Sequence, residues 1–362
     1  MSSSYTHSLY IGRFQPFHSG HAQMLRHALA LAPRCIVVLG SAHHAPTPRN
    51  PWDWQIRAEM IRASLDPQDA ARVSFLPLRD YFDSDRWAAE LRHAVALQVA
   101  EDAVDRPRIA LITHFKDASS AYLKWFPEWE TVAFERQNDI DATPLRQTVY
   151  QALLDGESAA QALARVSAAL PQGTLQVLAG QSEWGHRTMT TASEMAAEWQ
   201  TLQASLRAWQ GSPYPPIFVT TDCVLVCSGH VLLVERDRRP GAGLMALPGG
   251  FVEADERLLP AALRELHEET GLNLDLSRPD VSLREVRVFD HPQRSERGRV
   301  ITHVHVFDLH ADHLPAVQGG DDARRAEWVP LTALASLEPR LHDDHFHILD
   351  SVLHVLPSRA QR

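Results

Sequence analysis

The stretch GFVEADERLLPAALRELHEETGL, residues 250–272, decides how the second half of the chain folds. Glu265, Glu268 and Glu269 stand at i, i+3 and i+4, so on a helix their carboxylates share one face. Leucines at matching spacing supply a second, apolar face: Leu259, Leu263 and Leu266. Gly271 stands where a glycine commonly ends a helix. The spacing therefore predicts an amphipathic helix with an acidic face.

Three carboxylates on one helix face repel one another unless something neutralises them. Carboxylate oxygens are ligands that hard divalent cations prefer, so the pattern indicates a site for Mg²⁺ or Mn²⁺. A solvated acidic helix face is the common alternative. The spacing of the three glutamates alone leaves both interpretations open.

The residues that flank the acidic face complete a longer pattern. Five residues separate Gly250 from Glu256, and seven separate Glu256 from Arg264-Glu265-Leu266. Glu268-Glu269 and Gly271-Leu272 follow, each after one further residue. Every fixed position of the Nudix box is present, so this half of the chain resembles the Nudix hydrolases, which cleave nucleoside diphosphates linked to another moiety. The resemblance implies a C-terminal α/β/α Nudix domain with a mixed sheet.

The Nudix resemblance implies a role for each residue of the box. It implies these metal ligands: the backbone carbonyl of Gly249 and the carboxylates of Glu265, Glu268 and Glu269. Glu256 and Arg264 would orient the loop and those carboxylates. The metal would neutralise a diphosphate and activate a water molecule. The general base changes position within the family, and its candidates in this chain are Asp321, Asp322 and Glu327.

The composition is that of an ordinary globular protein, and the length indicates two domains. The chain has 362 residues, of which 44% are hydrophobic and 22% charged. Its net charge of −10 argues against non-specific binding to nucleic acid or to a membrane surface. The start of the chain lacks the pattern of a signal peptide, and no apolar run is long enough to span a membrane. The three cysteines, an odd number, favour a reducing, cytoplasmic location.

Strand-like and helix-like segments alternate in the first half of the chain. Strands are predicted at 9–11, 35–39, 73–76, 109–113 and 131–134, and helices after residue 21 and at 52–65 and 87–100. This alternation predicts an α/β, Rossmann-like domain, in which helices cover both faces of a parallel sheet. Because ligands bind beyond the carboxyl ends of such strands, we expect a site at the first strand-to-helix turn.

That turn reads GRFQPFHSGH, residues 12–21. Gly12 would let a phosphate approach the backbone, Arg13 would meet it with positive charge, and the helix start offers unpaired N–H groups. His18 and His21 bracket the helix start, where each can hydrogen-bond phosphate oxygens. The whole stretch resembles the nucleotidyltransferases of the HxGH superfamily, and within them the nicotinamide-nucleotide adenylyltransferases of archaeal type. The resemblance implies that His18 and His21 are catalytic.

Two later stretches support the narrower resemblance. Asn50-Pro51-Trp52, with Arg57 downstream, is similar to the family's Asn-Pro-aromatic segment. Residues 140–146, IDATPLR, are similar to its Ile-Ser-x-Thr-x-x-Arg signature, although Asp141 stands where serine is usual. Thr143 is expected to cap the helix that follows. The residues that the resemblance assigns to binding ATP and the mononucleotide are Gly12, Arg13, Phe14, Asn50, Trp52, Arg57, Thr143 and Arg146.

The segment GSPYPP, residues 211–216, breaks regular structure and is the best domain boundary. We therefore predict a nucleotidyltransferase domain at 1–190, a helical segment and linker at 191–213, and a Nudix domain at 214–362. Strands are predicted at 218–226, 231–235, 284–289 and 300–309. The loop before the last strand contains Arg294, Arg297 and Arg299, which either form a solvated basic loop or bind the Nudix substrate. Histidines between 342 and 347 are expected on a loop or on the surface.

Together, the two halves are similar to a bacterial bifunctional family. The resemblance implies adenylyl transfer from ATP to nicotinamide mononucleotide (NMN), giving NAD and pyrophosphate, and Mg²⁺- or Mn²⁺-dependent hydrolysis of ADP-ribose to AMP and ribose 5-phosphate. The expected partners are these small nucleotides, with no nucleic acid and no membrane, and a homo-oligomer is compatible with the sequence. The alternatives are a different adenylyl acceptor, and a Nudix domain that senses ADP-ribose without cleaving it.

Overall fold

The structure, a computed structural model, describes residues 4–113, 125–135, 140–181 and 185–357, with 185–187 described by their backbone alone. The chain divides into two compact units, Met1–Trp199 and Gln200–Arg362. Buried apolar clusters of the described residues lie within one unit or the other. The proline-rich boundary at 211–216 stays a prediction, because the division between compact units falls before it.

The first unit contains a parallel sheet. Its strands are β1 (His7–Gly12), β2 (Arg34–Leu39), β3 (Val73–Pro77), β4 (Ile109–Thr113) and β5 (Glu130–Ala133). They are ordered β3-β2-β1-β4-β5, and every pairing is parallel. The predicted Rossmann-like architecture is confirmed. The order reverses between β1 and β4, so the crevice for a ligand is expected beside the carboxyl end of β1.

Helices connect the strands of this unit and complete it. They are α1 (Ser19–Leu31), α2 (Trp54–Arg62), α3 (Pro67–Ala70), α4 (Ser84–Glu101), α5 (Ala142–Leu154), α6 (Ala159–Ala164), α7 (Gln172–Leu178) and α8 (Gly185–Ala208). On α1 the apolar positions Leu25, Ala28 and Leu29 are buried in the core, as their helical spacing predicts. Packing of this face fixes the start of α1 against β1.

Two helix starts differ from the prediction. α2 begins later than predicted, because the Asp53 side chain accepts a hydrogen bond from the backbone N–H of Ile56 and caps the helix there. α5 begins with Asp141 at its N-cap, so the expectation that Thr143 caps this helix is wrong. The hydroxyl of Thr143 instead accepts a hydrogen bond from Arg146 at 3.2 Å.

The second unit is built on a mixed sheet, as predicted. Its strands are β6 (Ile217–Cys227), β7 (His230–Arg236), β8 (Met245–Ala246), β9 (Gly249–Phe251), β10 (Val281–Phe289), β11 (Arg299–Leu309) and β12 (Ala323–Pro330). The main order is β10-β11-β6-β7-β12, while β8 pairs with β7 and β9 with β6. β6 and β11 are parallel, and the other pairings are antiparallel. The short strands β8 and β9 and the longer β12 were not predicted, and the β12 residues ARRAEWVP do not alternate cleanly between apolar and polar.

Helix α9 (Leu258–Thr270) carries the acidic box on this sheet. Leu266, Ala261 and Ala262 are fully buried against the sheet. Gly271 ends the helix in the left-handed conformation, with φ at 70°, which confirms the predicted stop. Two more helices follow in this unit, α10 (Leu334–Leu337) and α11 (His345–Leu353). Among all the helices described, none is both long and apolar enough to span a membrane.

The predicted domain boundary is tested by dividing the chain at it. Fragments 1–210 and 212–362 each contain one sheet and its apolar clusters, so we expect each fragment to fold alone. Each purified fragment should unfold cooperatively on heating, as followed by circular dichroism. Insoluble or non-cooperative fragments, from a full chain that melts cooperatively, would show that the boundary is misplaced.

Candidate active sites

Two histidines build the start of α1. His18 is the N-cap, and its Nδ1 accepts a hydrogen bond from the backbone N–H of His21 at 3.4 Å. His21 Nδ1 accepts from the backbone N–H of His18, also at 3.4 Å, and the two rings stack with centroids 3.6 Å apart. Because each Nδ1 acts as an acceptor, each Nε2 carries the proton of the neutral ring. The reciprocal cap therefore presents two ring N–H groups at a helix N-terminus, where an anion is already favoured.

A cavity of about 240 Å³ lies at this turn, between the β1–α1 connection and the start of α5. The predicted site residues that line it are Arg13, Phe14, His18, His21, Thr143 and Arg146. Arg49 also lines it and is not among the predicted site residues, although it stands directly before Asn50-Pro51 in the sequence. Arg13, Arg49 and Arg146 thus line one cavity, a charge distribution that suits a polyphosphate.

Buried guanidinium groups hold the backbone around this cavity. Arg146 donates a hydrogen bond to the carbonyl of Gln15 at 2.5 Å. Arg57 is fully buried and donates to the carbonyls of Arg13 and Gly40, each at 2.7 Å. The structure therefore shows Arg57 supporting the loops that carry the site, and its predicted ligand contact stays a prediction.

The other predicted residues of this site lie buried beside the cavity. Trp52 is a core residue, and the side-chain amide of Gln15 bonds both its carbonyl, at 2.7 Å, and its N–H, at 3.1 Å. Asn50 is buried, and among the described atoms its Oδ1 has no hydrogen-bond partner. A Cβ at Gly12 would lie 2.7 Å from the Phe14 ring, so this packing contact requires a glycine there. Ligand contacts of Gly12, Asn50 and Trp52 stay predictions.

Arg264 is the centre of the Nudix box. It donates two hydrogen bonds to Glu256, at 2.6 and 3.1 Å. Its Nη1 donates to Glu265 at 2.8 Å and to Glu268 at 2.9 Å. Glu256 also accepts the backbone N–H of Glu253 at 3.0 Å, which ties the loop before α9 to the same ion-pair group. This arrangement is consistent with the predicted orienting roles of Arg264 and Glu256.

Glu269 lies buried against the backbone that precedes the box. Its Oε2 accepts the N–H of Gly249 at 2.9 Å. Burial raises the pKa of Glu269 to about 8, although the Gly249 N–H opposes the change, and the neighbouring Glu265 adds to it. A Cβ at Gly250 would lie 2.5 Å from Glu265 Oε1, and one at Gly249 would lie 2.2 Å from the Thr221 carbonyl. Both positions therefore require glycine, because the Glu265 carboxylate lies against Gly250 and the Thr221 carbonyl lies against Gly249.

The carboxylates of the box fit a divalent cation in their chemistry. Within the described part of the chain, no three His, Cys, Asp or Glu side chains are already gathered in the way that holds a metal. Arg264 is the physical reason, because it draws both Glu265 and Glu268 to itself. The side chain of Glu268 is 42% exposed and can turn toward a cation at the surface. Burial raises the pKa of Glu269, and a cation bound beside it would stabilise its charged form.

The predicted substrate arginines differ in their surroundings. Arg294 is buried and makes a bidentate ion pair with Asp344, at 2.7 and 2.9 Å. This pair holds the Arg294 guanidinium away from solvent, and its predicted substrate contact stays a prediction. The Arg297 guanidinium lies 5.5 Å from the centroid of the Phe251 ring, and Arg299 donates to a carbonyl of its own loop. Substrate contacts of Arg297 and Arg299 stay predictions.

Asp321 is the general-base candidate that lies beside the box. Burial raises the pKa of Glu265, and the negative charges of Glu268 and Asp321 add to that rise. The other candidates are paired with arginines instead, Asp322 at 2.7 Å and Glu327 at 3.5 Å. Electrostatic proximity to the box therefore favours Asp321 over both.

The expectation that the histidines of residues 342–347 lie on a loop or on the surface is wrong for two of them. His342 and His345 are only 4% and 6% exposed. His345 Nδ1 accepts a hydrogen bond from the backbone N–H of Leu247 at 2.8 Å. Burial lowers the pKa of His345 to about 4, so its ring is neutral at physiological pH. No local signal distinguishes these buried histidines in the sequence.

Two family models match the chain, one in each half. A cytidylyltransferase-like model matches residues 9–141, and a NUDIX domain model matches residues 217–352. The nicotinamide/nicotinic acid mononucleotide adenylyltransferase of Acinetobacter baylyi is 34% identical over 47% of this chain and 83% of its own length. The ADP-ribose pyrophosphatase of Methanocaldococcus jannaschii is 38% identical over 36% of this chain and 70% of its own length.

A solved structure resembles both halves together. The bifunctional NMN adenylyltransferase/ADP ribose pyrophosphatase of Francisella tularensis, complexed with AMP and a manganese ion, matches with a TM-score of 0.83 and 32% identity. The match covers 97% of this chain and 99% of that one. The chain therefore belongs to the family of bifunctional proteins that join an NMN adenylyltransferase to a Nudix ADP-ribose pyrophosphatase.

Proposed function

We propose that this chain is a bifunctional enzyme of NAD metabolism. One unit transfers the adenylyl group of ATP to NMN, giving NAD and pyrophosphate. The other hydrolyses ADP-ribose to AMP and ribose 5-phosphate. One observation carries the proposal: a complete HxGH turn at the carboxyl end of β1 and a complete Nudix box on β9 and α9 occur in a single chain.

In the first reaction, a phosphate oxygen of NMN attacks the α-phosphorus of ATP, and pyrophosphate leaves with the electrons of the broken bond. This chemistry requires positioning and neutralisation of charge rather than a covalent intermediate. The ring N–H groups of His18 and His21 donate to oxygens on which negative charge develops. Arg13, Arg49 and Arg146 line the cavity and would meet the phosphates there. Mg²⁺ bound with ATP would supply further positive charge.

In the second reaction, water cleaves the diphosphate of ADP-ribose. A divalent cation, Mg²⁺ or Mn²⁺, supplies charge neutralisation and a more acidic water when it is bound at this site. The residues that would hold it are Glu265, Glu268, Glu269 and the carbonyl of Gly249. Arg264 orients Glu265 and Glu268, the Gly249 N–H orients Glu269, and we propose Asp321 as the acceptor of the attacking water's proton.

Hydrolysis is favoured over sensing because the box is intact. A protein that only binds ADP-ribose does not need all the carboxylates of the box, yet each is present here. Glu256, Glu265 and Glu268 pair with Arg264, and Glu269 accepts the Gly249 N–H. The proposed partners are small nucleotides only. The proposed location is the cytoplasm, because Cys35, Cys223 and Cys227 are buried thiols without disulfide bonds, as in proteins of a reducing compartment.

Replacing the two imidazoles while keeping the helix cap tests the first site. His18→Asn retains a good N-cap residue, and His21→Gln retains the reciprocal bond of a capping box. Each change removes one ring N–H donor, so we expect NAD synthesis to fall about 10²- to 10³-fold, measured by chromatography of the products. ADP-ribose hydrolysis in the same samples should be unchanged. The control is His93→Ala on the exposed face of α4, which should leave both activities unchanged. Normal NAD synthesis by both His18→Asn and His21→Gln would exclude these histidines from the mechanism.

Charge removal in the box tests the second site. Glu268→Gln and Glu269→Gln keep the volume of the side chain but remove a negative charge, so we expect losses of several orders of magnitude in ADP-ribose hydrolysis. High Mg²⁺ or Mn²⁺ should recover part of the rate. Glu256→Gln should lose less, about 10- to 100-fold, because it acts by orienting Arg264.

NAD synthesis should continue in all three box variants, since its site lies in the other unit. Glu285→Gln, on strand β10, is a matched control that should hydrolyse ADP-ribose at the normal rate. Unchanged hydrolysis by both Glu268→Gln and Glu269→Gln would overturn the catalytic proposal and favour a sensor.

A further inference from the structure

We propose that His345 is a positioning residue of the Nudix site, which acts by fixing the backbone that leads into Gly249. The inference rests on the proposed hydrolysis at that site. His345 is the first residue of α11, far from the box along the chain, and it is buried. Its Nδ1 accepts a hydrogen bond from the backbone N–H of Leu247, just before the box.

The two residues between β8 and β9, Leu247 and Pro248, lie outside the strand ladders. The Pro248 carbonyl accepts the backbone N–H of Cys223 at 2.8 Å. The Leu247 N–H is buried and donates to His345 Nδ1 at 2.8 Å. The imidazole therefore takes the place of a strand partner at this break. Gly249, two residues after Leu247, donates its N–H to Glu269. A displacement of the backbone at Leu247 is therefore transmitted to the hydrogen bond that holds this carboxylate.

The other nitrogen of the His345 ring, Nε2, faces Asp222 on strand β6, which is the strand partner of Gly249. Because Nδ1 accepts the Leu247 N–H, the proton of the neutral ring is on Nε2, which lies 4.0 Å from Asp222 Oδ1. The second oxygen of Asp222 accepts the hydroxyl of Thr302. Asp222 is paired with Gly249 in the β6–β9 ladder, and a Cβ on Gly249 would lie 2.8 Å from Asp222 Oδ1. His345 thus lies against both the approach to Gly249 and its strand partner.

The two residues before His345 hold the arginine-containing loop. Asp344 forms the buried bidentate pair with Arg294, and Asp343 accepts the hydroxyl of Ser295 at 2.7 Å. Asp343, Asp344 and His345, which we call the DDH segment, therefore contact both the loop and the backbone before the metal-binding box. One short segment sets the position of these two parts of the site relative to each other.

Loss of the acceptor at residue 345 would leave the Leu247 N–H buried without a partner. A buried unpaired N–H is unfavourable, so the backbone would shift to pair it or to admit water. Such a shift displaces the Gly249 carbonyl and the N–H that Glu269 accepts. Changes of this kind, in residues that orient metal ligands, commonly lower metal affinity or activity 10- to 100-fold.

Three variants of the full-length protein separate positioning from a general loss of structure. His345→Asn offers a carboxamide oxygen near the place of Nδ1, whereas His345→Leu has similar bulk and no acceptor. His354→Asn is the matched control, because His354 is exposed at the end of the same helix and adopts the left-handed conformation that asparagine tolerates. Each protein is assayed for Mn²⁺ affinity by electron paramagnetic resonance without nucleotide, for kcat and KM with ADP-ribose, for NAD synthesis and for melting temperature.

We expect His345→Leu to bind Mn²⁺ about 10- to 100-fold more weakly and to lose kcat by a similar factor, with a smaller change in KM. His345→Asn should recover most of both quantities, and all variants should synthesise NAD normally. The proposal is overturned if His345→Leu keeps Mn²⁺ affinity and kcat, or if Asn fails to improve on Leu. A wild-type protein that binds Mn²⁺ but does not cleave ADP-ribose would refute the proposed hydrolysis, whereas the Mn²⁺ comparison would still decide the role of His345.

Discussion

The burial of carboxylates against the Gly249–Gly250 backbone is the constraint on which the second unit depends. A carboxylate removed from water is unfavourable unless it is paired and hydrogen-bonded. Here Arg264 pairs with Glu265, and the Gly249 N–H bonds Glu269, yet burial still raises the pKa of Glu269 to about 8. The compensation is incomplete, so the charged form of Glu269 is disfavoured until a cation stabilises it. The glycines follow from the same constraint, because a Cβ would occupy the space of a carboxylate or a carbonyl.

The first unit satisfies a related constraint with the opposite charge. Turns at the carboxyl ends of parallel strands leave backbone carbonyls that neither helix nor sheet pairs. Arg57 bonds carbonyls of Arg13 and Gly40, and Arg146 bonds that of Gln15. A guanidinium has five N–H groups, so one side chain joins turns that are distant in the sequence. The turns that carry the ligand-binding groups are thereby held in place before any ligand arrives, which reduces the ordering that binding requires.

The sequence predicted those parts of each site whose geometry is local. His18 and His21 lie three positions apart at a helix start, and the carboxylates of the box lie within one turn of α9, so spacing alone brings each set together. The parallel and mixed sheets followed from alternation and from family resemblance. Strand β12 was missed because its pattern is irregular, and the start of α5 was misplaced because Asp141 rather than Thr143 occupies the N-cap. Spacing within one turn of a helix was therefore sufficient, whereas the choice of N-cap between Asp141 and Thr143 was not decided by it.

The supports of the two sites could not be predicted, since they are formed by residues far apart in the chain. Arg294 and Arg297 look alike in the sequence, yet Arg294 is buried because Asp344, 50 positions later, pairs with it. His345 reaches across 98 positions to the Leu247 N–H. Removing one partner of a buried ion pair commonly costs about 3–5 kcal/mol, so such contacts strongly restrict the loops that they hold. A basic residue within a recognisable motif can therefore either meet the ligand or position the groups that do, and only burial and long-range partners distinguish these roles.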